Sequence, residues 1–336
     1  MTSPEAARPG SPRSARVRFA TFNVLHGRTL VDGRPVSVRP AGGPAEPLVR
    51  AVASLDADVV ALQEVDRLQE RSGGVDQASA AAEGSGAHHW RYASAFHGTA
   101  KADGGWIPEP SVPGLRVYGP REAEVGETGT GAAGAGEAGA GDRLPSHGIA
   151  LLSRLPVRHW RARRLAPAPV PMPLRTPGNR GLTLSRDQPR AALAAVLEGN
   201  RGPFTVVAVH LSFVPGWNLL QLRAVRAWIA DLPGPRVLLG DFNLPGALPR
   251  TVLGSAGPAA GIRPRPGGTG TRSGGGGPEP RGWRDMARTP TYPAHRPLVQ
   301  LDHVLASGIE AGAARGAHAP STPVSDHRPL VVELPL

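Results

Sequence analysis

Short apolar runs of strand length recur along the 336-residue chain, and they restrict it to folds built around β-sheets. The run ADVVALQEV (57–65) is bounded by acids, and its length and β-branching indicate a buried strand. Gly199 to Gly202 separate two further runs and predict the turn of a hairpin. The predicted strands lie in segments 17–25, 57–65, 89–96, 147–157, 189–198, 203–213, 237–245, 298–307 and 325–336.

Helical spacing is confined to a few segments. The clearest amphipathic helix is WNLLQLRAVRAWIADL (217–232), which Pro233 and Gly234 end. Shorter helices are predicted over 46–56 and 76–83. The apolar stripe of the long helix comprises Leu219, Leu222, Val225 and Ile229, and Trp217 and Trp228 are expected in its core.

The order of strands and helices predicts an α/β fold with a two-sheet core and helices outside. No linker divides residues 16–336, so we expect a single domain there. Residues 1–15 are rich in Pro, Ser and Arg and predict a disordered tail. Low-complexity segments at about 119–143 and 254–281 predict mobile surface insertions.

Composition excludes several kinds of chemistry. The chain has no cysteine, which excludes disulfides, thiolate nucleophiles and zinc–thiolate sites. Its formal charge of +11 is the excess of 38 basic over 27 acidic residues. Every basic residue except Lys101 is an arginine, and no arginine run exceeds Arg163–Arg164. Such a diffuse field attracts phosphate-bearing ligands without selecting among them. Neither a signal peptide nor a transmembrane segment is visible, so we expect a cytoplasmic protein.

Polar side chains of acid–base or metal-binding type stand where the predicted strands end. In VLLGDFNLP (237–245), Asp241 and Asn243 are two residues apart and would project to the same face. Alone, this stretch favours a simple Asx turn, but many such residues in one chain indicate convergence on one site. The set comprises Asn23, Glu64, His210, Asp241, Asn243, Asp302, His303, Asp326 and His327.

These residue types point to one kind of chemistry. Carboxylate and amide oxygens without thiolates form a hard ligand set that suits Mg²⁺ or Mn²⁺. Histidines beside carboxylates suit acid–base work near neutral pH. Amide N–H groups and an imidazolium suit a phosphoryl oxygen. Together they describe hydrolysis of a phosphate ester by water.

Several of these segments resemble the endonuclease/exonuclease/phosphatase superfamily of DNase I-like, metal-dependent phosphoesterases. GDFN followed by SDH, with LQE before both, is the specific part of the likeness. The resemblance implies a four-layer α/β sandwich, with two mixed β-sheets face to face and helices outside. The matching segments, in the family's order and covering about 17 to 334, are TFNVLHG, DVVALQEVD, GIALLSR, VAVHLS, GDFN, LDHVLAS and SDHRPL.

The resemblance also implies a metal site for Mg²⁺, with Mn²⁺ as a substitute. Glu64 would be the principal metal carboxylate, and Asn23 beside it would touch metal or phosphate. Asp326 would be a second ligand, directly or through water. Nuclease relatives often carry an acid where this chain has Leu25, so we expect one metal rather than two.

Catalytic roles follow from the same resemblance. Asp241 would orient or deprotonate the attacking water, and Asn243 would hold a phosphate oxygen. Asp302 would fix the tautomer of His327, which acts as the base or stabilises the pentacovalent phosphorus. His210 would face the phosphate and assist the leaving group.

The remaining histidines are interpreted as structural or peripheral. His303 follows Asp302, so in a strand it points the other way and is expected to be structural. His26 and Arg190 are weaker candidates for the pocket lining. The histidines expected at the surface are His88, His89, His147 and His295.

The sequence therefore predicts a Mg²⁺-dependent hydrolase of phosphate esters, of the phosphodiesterase or nuclease type. A phospholipid or small-molecule phosphoesterase of the sphingomyelinase or phosphatase type is the alternative. A non-catalytic nucleic-acid-binding protein is less favoured, because the site residues are all retained. The substrate would be a nucleic acid, a phospholipid head group or a small phosphodiester, and no obligate protein partner is expected.

Overall fold

A computed structural model of the chain describes most of its length. The predicted tail and nearly all of the two predicted insertions lie outside the described residues. No helix in the described part is long and apolar enough to cross a membrane. The described ranges are 16–37, 40–101, 105–110, 114–120, 144–175, 181–254, 282–310 and 312–336.

Eighteen strands and four α-helices occur within those ranges. The helices are α1 (Glu46–Ala53), α2 (Gln77–Ser85), α3 (Trp217–Trp228) and α4 (Leu248–Gly254). The strands are β1 (Val17–Asn23), β2 (Leu30–Val31), β3 (Arg34–Pro35), β4 (Val59–Arg67), β5 (His89–Ala100), β6 (Trp106–Pro108), β7 (Arg116–Tyr118), β8 (Ser146–Ser153), β9 (Val157–Leu165), β10 (Met172–Arg175), β11 (Leu182–Ser185), β12 (Arg190–Gly199), β13 (Gly202–His210), β14 (Arg236–Asp241), β15 (Trp283–Asp285), β16 (Asp302–Ser307), β17 (Arg315–His318) and β18 (Leu330–Leu334).

The larger strands form two mixed sheets. The first sheet runs β17-β18-β1-β4-β8-β5-β6, with β7 also paired to β5, and its only parallel pair among the described strands is β1–β4. The second runs β15-β16-β14-β13-β12-β9, with β13–β14 parallel. The predicted hairpin is formed by β12 and β13, joined at Gly199 and Gly202. β2–β3 and β10–β11 form two small separate ribbons.

The sheets pack face to face because each central strand is apolar on both faces. Phe19 of β1 meets Phe204 of β13 edge-on between the sheets, with ring centroids 6.2 Å apart. The alternate residues Ala20 and Phe22 instead pack under α1 and α2. On the far side, α3 and α4 cover the second sheet, with Leu222 buried there. The predicted four-layer α/β sandwich is confirmed.

The strand directions bring many connections to one end of the sandwich. β1, β4, β13 and β14 all finish there, and β12, β16 and β18 start there. We call this end the upper rim. It consists of the described residues in segments 24–45, 101–110, 166–189, 211–216, 242–248, 286–301 and 319–329.

Some predicted boundaries differ from the structure. The single strand predicted over 147–157 is two strands, β8 and β9, because a turn at residues 154–156 separates them. The prediction that Trp217 and Trp228 are core residues is wrong for Trp217, which is only partly buried, whereas the partly buried Trp228 packs against the core. Leu222 and Val225 occupy the buried stripe of α3, and the Trp217 indole N–H instead donates to the Ala166 carbonyl oxygen at 2.8 Å.

Gly240 gives a test of the packing beneath the site. It lies on β14 with φ +152°, and an alanine Cβ there would be 1.9 Å from the Val209 carbonyl oxygen of β13. We expect Gly240→Ala to lower the free energy of unfolding by about 3 kcal/mol, measured by urea denaturation. Gly254→Ala is the control, because its Cβ meets nothing within 4 Å. Equal stability of the two variants would contradict the packing described.

Candidate active site

Three of the predicted site residues form one row across the second sheet. His210 ends β13 and pairs in register with Asp241, which ends β14. Asp241 in turn pairs with Asp302, the first residue of β16. Residues in register on neighbouring strands are about 5 Å apart, so these side chains share one edge of the sheet. All three are buried.

Glu64 enters the same space from the first sheet through a β-bulge. The pairing of β4 with β8 shifts register between Gln63 and Val65, which leaves Glu64 as the extra residue. Its φ of +56° lies in the left-handed region, where non-glycine residues are uncommon. Bulges of this kind re-aim a side chain next to a site.

Asn23 joins the two sheets. Its Nδ2 donates to Glu64 Oε1 at 3.0 Å and to Asp241 Oδ2 at 3.1 Å, while its Oδ1 accepts from the Leu25 backbone N–H at 3.1 Å. Both amide hydrogens are thus used between two carboxylates that would otherwise repel each other. The predicted neighbourhood of Asn23, Glu64 and Asp241 is present in the structure.

His327 is held on its other side by a polar chain. Its Nδ1 donates to Asp302 Oδ2 at 2.8 Å, and Thr291 Oγ1 donates to the same oxygen at 2.6 Å. The Ser325 hydroxyl accepts from the His327 backbone N–H and donates to the Asn23 carbonyl oxygen. Nε2 therefore points to Asp241 Oδ2, 3.9 Å away. This is the predicted Asp302–His327 pair.

The electrostatics give His327 and Asp241 opposite charges. Burial raises the pKa of the Asp241 carboxyl to about 6, with His327 opposing the shift and Asp302 adding to it. Burial alone lowers the pKa of His327, but Asp302, Asp241 and Asp326 outweigh it and raise that pKa to about 10. At neutral pH the pair is an imidazolium facing a carboxylate whose basicity is raised by burial.

His210 is neutral in this site. Burial first, and then the Arg190 guanidinium, lowers the pKa of His210 well below its usual range. Arg190 Nη1 lies 3.0 Å from His210 Nδ1, and His210 Nε2 lies 3.5 Å from Asp241 Oδ2. Arg190 therefore does line the pocket. Its guanidinium donates to Nδ1 of the uncharged His210 imidazole.

Glu64 and Asp326 are the two carboxylates that could hold a cation. Burial raises the pKa of Glu64, but His210, His147 and the Asn23 hydrogen bond outweigh it and lower that pKa to about 2. Burial raises the pKa of Asp326, and the neighbouring Glu64 charge adds to the rise. No described side chain donates a hydrogen bond to Asp326, so this carboxylate has room for a ligand.

This donor set fits Mg²⁺. In the part of the chain that the structure describes, no three or more His, Asp or Glu side chains form a complete metal cage. Mg²⁺ does not need one, because it keeps several waters and takes only one or two protein carboxylates. Glu64 and Asp326 meet that requirement, and Asn23 orients Glu64 from the side.

Asn243 is fixed by the backbone around it. One of its Nδ2 hydrogens goes to the Leu211 carbonyl oxygen at 3.0 Å, and its backbone N–H donates to Asp241 Oδ1 at 2.8 Å. Among the described residues, the second amide hydrogen has no acceptor. The φ of Asn243 is +50°, which asparagine tolerates better than most residues.

Sequence reasoning missed one buried cluster beside Glu64. Asp66 is fully buried and receives two hydrogen bonds of 2.8 Å from Arg71 and one of 2.7 Å from His147 Nδ1. The prediction that His147 is a surface residue is wrong. The pairing of β4 with β8 sets it directly opposite Asp66, and no spacing along the chain reveals that neighbour. Trp106 packs on both Arg71 and His147.

The side chains of His303 and His26 both lie away from the row formed by His210, Asp241 and Asp302. His303 points away from the site and lies 2.7 Å from the Leu244 carbonyl oxygen through Nε2, as the strand alternation predicts. His26 lies near the Asp66 cluster, and burial, followed by the Arg71 charge, lowers its pKa to about 4.

The fold and the site together define a DNase I-like α/β sandwich with acids, amides and imidazoles at one rim. The sequence pattern described as the Endonuclease/Exonuclease/phosphatase family matches residues 20–327, so the chain belongs to this family. Its members are generally phosphoester hydrolases, which gives the general activity of this chain. No curated protein sequence matches the chain significantly.

Solved structures show the same fold at low sequence identity. The endonuclease/exonuclease/phosphatase from Bacteroides vulgatus has a TM-score of 0.50 at 14% identity, covering 95% of this chain and 98% of its own. The family protein from Leptotrichia buccalis has a TM-score of 0.50 at 12% identity, with coverage of 94% and 98%. The one from Beutenbergia cavernae has a TM-score of 0.48 at 19% identity, with coverage of 95% and 71%.

A comparison of two arginine–aspartate pairs with similar geometry tests the structural role of the buried Asp66 cluster. Asp66→Asn would leave Arg71 without its buried partner, and we expect it to lower the free energy of unfolding by about 3 kcal/mol. Arg161 and Asp231 also form a two-hydrogen-bond pair, but the Asp231 side chain is 62% exposed. Asp231→Asn should therefore cost less than about 1 kcal/mol. Urea denaturation measures both, and similar losses would contradict a structural role for Asp66.

Proposed function

We propose that this protein is a Mg²⁺-dependent hydrolase of phosphate esters, of the phosphodiesterase or nuclease type, with water as the nucleophile. The observation that carries the proposal is the surroundings of Asp241. Its buried carboxylate lies 3.1 Å from Asn23 Nδ2, 3.5 Å from His210 Nε2 and 3.9 Å from His327 Nε2. A carboxylate with a pKa of about 6 among these groups suits a base at neutral pH.

Asp241 would accept a proton from the attacking water as its oxygen bonds to phosphorus. The bond from phosphorus to the leaving oxygen breaks, and that oxygen takes up a proton from solvent. Asn23 would hold Asp241 in place through the hydrogen bond to Oδ2, while the Asn243 backbone N–H holds Oδ1. A base fixed at both oxygens needs no reorganisation during the reaction.

His327 would stabilise the charge that develops on the phosphoryl oxygens. It is an imidazolium at neutral pH, and Asp302 fixes the orientation of its ring. The remaining amide hydrogen of Asn243 would donate to a phosphate oxygen. His210, held neutral by burial and Arg190, would face the phosphate and donate to the leaving oxygen. Fixed donors around a developing anion are the usual source of such rate enhancement.

Glu64 and Asp326 would hold the cation, and its waters would complete the coordination sphere. When bound, Mg²⁺ supplies Lewis-acid stabilisation of the phosphoryl group and lowers the pKa of a bound water. Asn23 keeps the Glu64 carboxylate aimed at this place, and the bulge at Glu64 brings it out of the strand ladder.

Hydrolysis of bis-p-nitrophenyl phosphate tests the metal requirement. We expect turnover that needs added Mg²⁺ or Mn²⁺ and stops with EDTA, because the two carboxylates alone bring negative charge to an anionic substrate. Release of p-nitrophenol measures the rate. Full activity in excess EDTA would overturn the metal-dependent mechanism.

Substitutions at the base and the imidazolium test the assigned roles. Asp241→Asn removes the proposed proton acceptor, and His327→Ala removes the imidazolium. Each substitution should therefore lower kcat at least about 100-fold. His88→Ala, at an exposed histidine outside the site, is the control and should keep its rate. Circular dichroism verifies that the variants fold. A near-normal rate in either site variant would remove that residue from the mechanism.

A further inference from the structure

Large apolar side chains that stay exposed are concentrated at the upper rim. Eleven described residues are of this kind, and nine of them lie on the rim. The other two are Val117 on the edge strand β7 and Leu220 on the outer face of α3. At the opposite end of the sheets, the described turns hold none. The nine rim residues are Val31, Val36, Ile107, Val170, Leu182, Leu184, Leu248, Leu298 and Val299.

The β10–β11 ribbon shows this exposure most clearly. Leu182 is 68% exposed and Leu184 is 69% exposed. They are two residues apart on β11, so they lie on the same face of the ribbon. Val170, just before β10, is 61% exposed. Removing such side chains from water is favourable, and a rim that exposes several of them is suited to an apolar contact.

Three of the rim segments, 24–45, 166–189 and 286–301, carry positive charge. Their described residues include six arginines but only two acids, Asp32 and Asp187. Asp187 is buried, where it accepts from the Ser212 hydroxyl. Among the described arginines of these segments, Arg28, Arg34, Arg186, Arg288 and Arg296 are exposed. The rim that holds the candidate active site therefore carries both apolar and cationic side chains.

We propose that the upper rim adsorbs to the surface of a phospholipid bilayer that contains anionic head groups. Leucine and valine side chains would enter the boundary between head groups and acyl chains, and the arginines would contact lipid phosphates. The candidate site would then face a layer of phosphate esters. This inference rests on the proposed function only where it takes the substrate to be a phosphate ester held in a membrane. The adsorption itself can be measured without any hydrolysis.

The chemistry of the rim favours a bilayer over a nucleic acid or a second protein chain. Surfaces that bind single-stranded nucleic acid use aromatic side chains on which bases stack. The nine exposed rim residues are all aliphatic. A protein partner would cover one continuous patch. Here the apolar residues are spread over five segments of the rim, as expected for a surface that contacts a bilayer at several points.

Sedimentation with vesicles in EDTA tests the adsorption in the absence of hydrolysis. The lipids are phosphatidylcholine alone, or phosphatidylcholine with 30% phosphatidylglycerol. We expect the full chain to bind the anionic vesicles, and binding to weaken at least tenfold when Leu182→Ser and Leu184→Ser are combined. The matched control combines Val117→Ser with Leu220→Ser, which removes exposed apolar side chains outside the rim. It should bind like the unchanged protein.

The outcomes separate the two proposals. Equal binding by rim and control variants, or no binding to anionic vesicles, overturns the adsorption. So does tighter binding to a DNA duplex than to vesicles, or a dimer in light scattering that only the rim variant loses. The rim variant should still hydrolyse bis-p-nitrophenyl phosphate within twofold of the unchanged rate. Vesicle binding by a protein that never hydrolyses phosphate esters would support the adsorption and overturn the proposed function.

Discussion

The amide of Asn23 is the interaction on which the rest of the site depends. It donates to Glu64 of the first sheet and to Asp241 of the second, at 3.0 and 3.1 Å. The core between the two sheets is built from apolar side chains, which hold the sheets together but do not fix where polar groups point. One side chain with two donors thus aligns the Glu64 and Asp241 carboxylates, the proposed cation ligand and the proposed base, which come from separate layers.

Backbone strain is concentrated around the same place. Glu64, Asn243 and Ser325 all have φ between +50° and +73°, although none is glycine. Each of these residues lies at a strand bulge or where the chain leaves or approaches a strand. Each also forms a hydrogen bond within the site: Glu64 with Asn23, Asn243 with Asp241, and Ser325 with Asn23. Such conformations persist where the surrounding structure determines them, and they are commonly found at functional sites.

Local sequence patterns predicted much of the fold and the polar residues that lie together at one rim, for a physical reason. A buried strand must be apolar along its length, so a polar residue at its end stands out, as Asp241 and His210 do. Pairing between distant strands leaves no such local mark. His147 was therefore missed, since its partner Asp66 lies 81 residues away, and the half-buried Trp217 was misplaced because helix spacing does not show the edge of a buried stripe.

The row formed by His210, Asp241 and Asp302 makes the chemistry a property of strand register. Side chains alternate between the two faces of a sheet, so sliding β14 by a single residue would turn its carboxylate away from both neighbours. Many apolar pairs could survive such a slip with little loss, because β14 is apolar on both faces. Volume-conserving exchanges between apolar residues should therefore be tolerated in the interior of this protein, yet insertions and deletions in its central strands should be rejected.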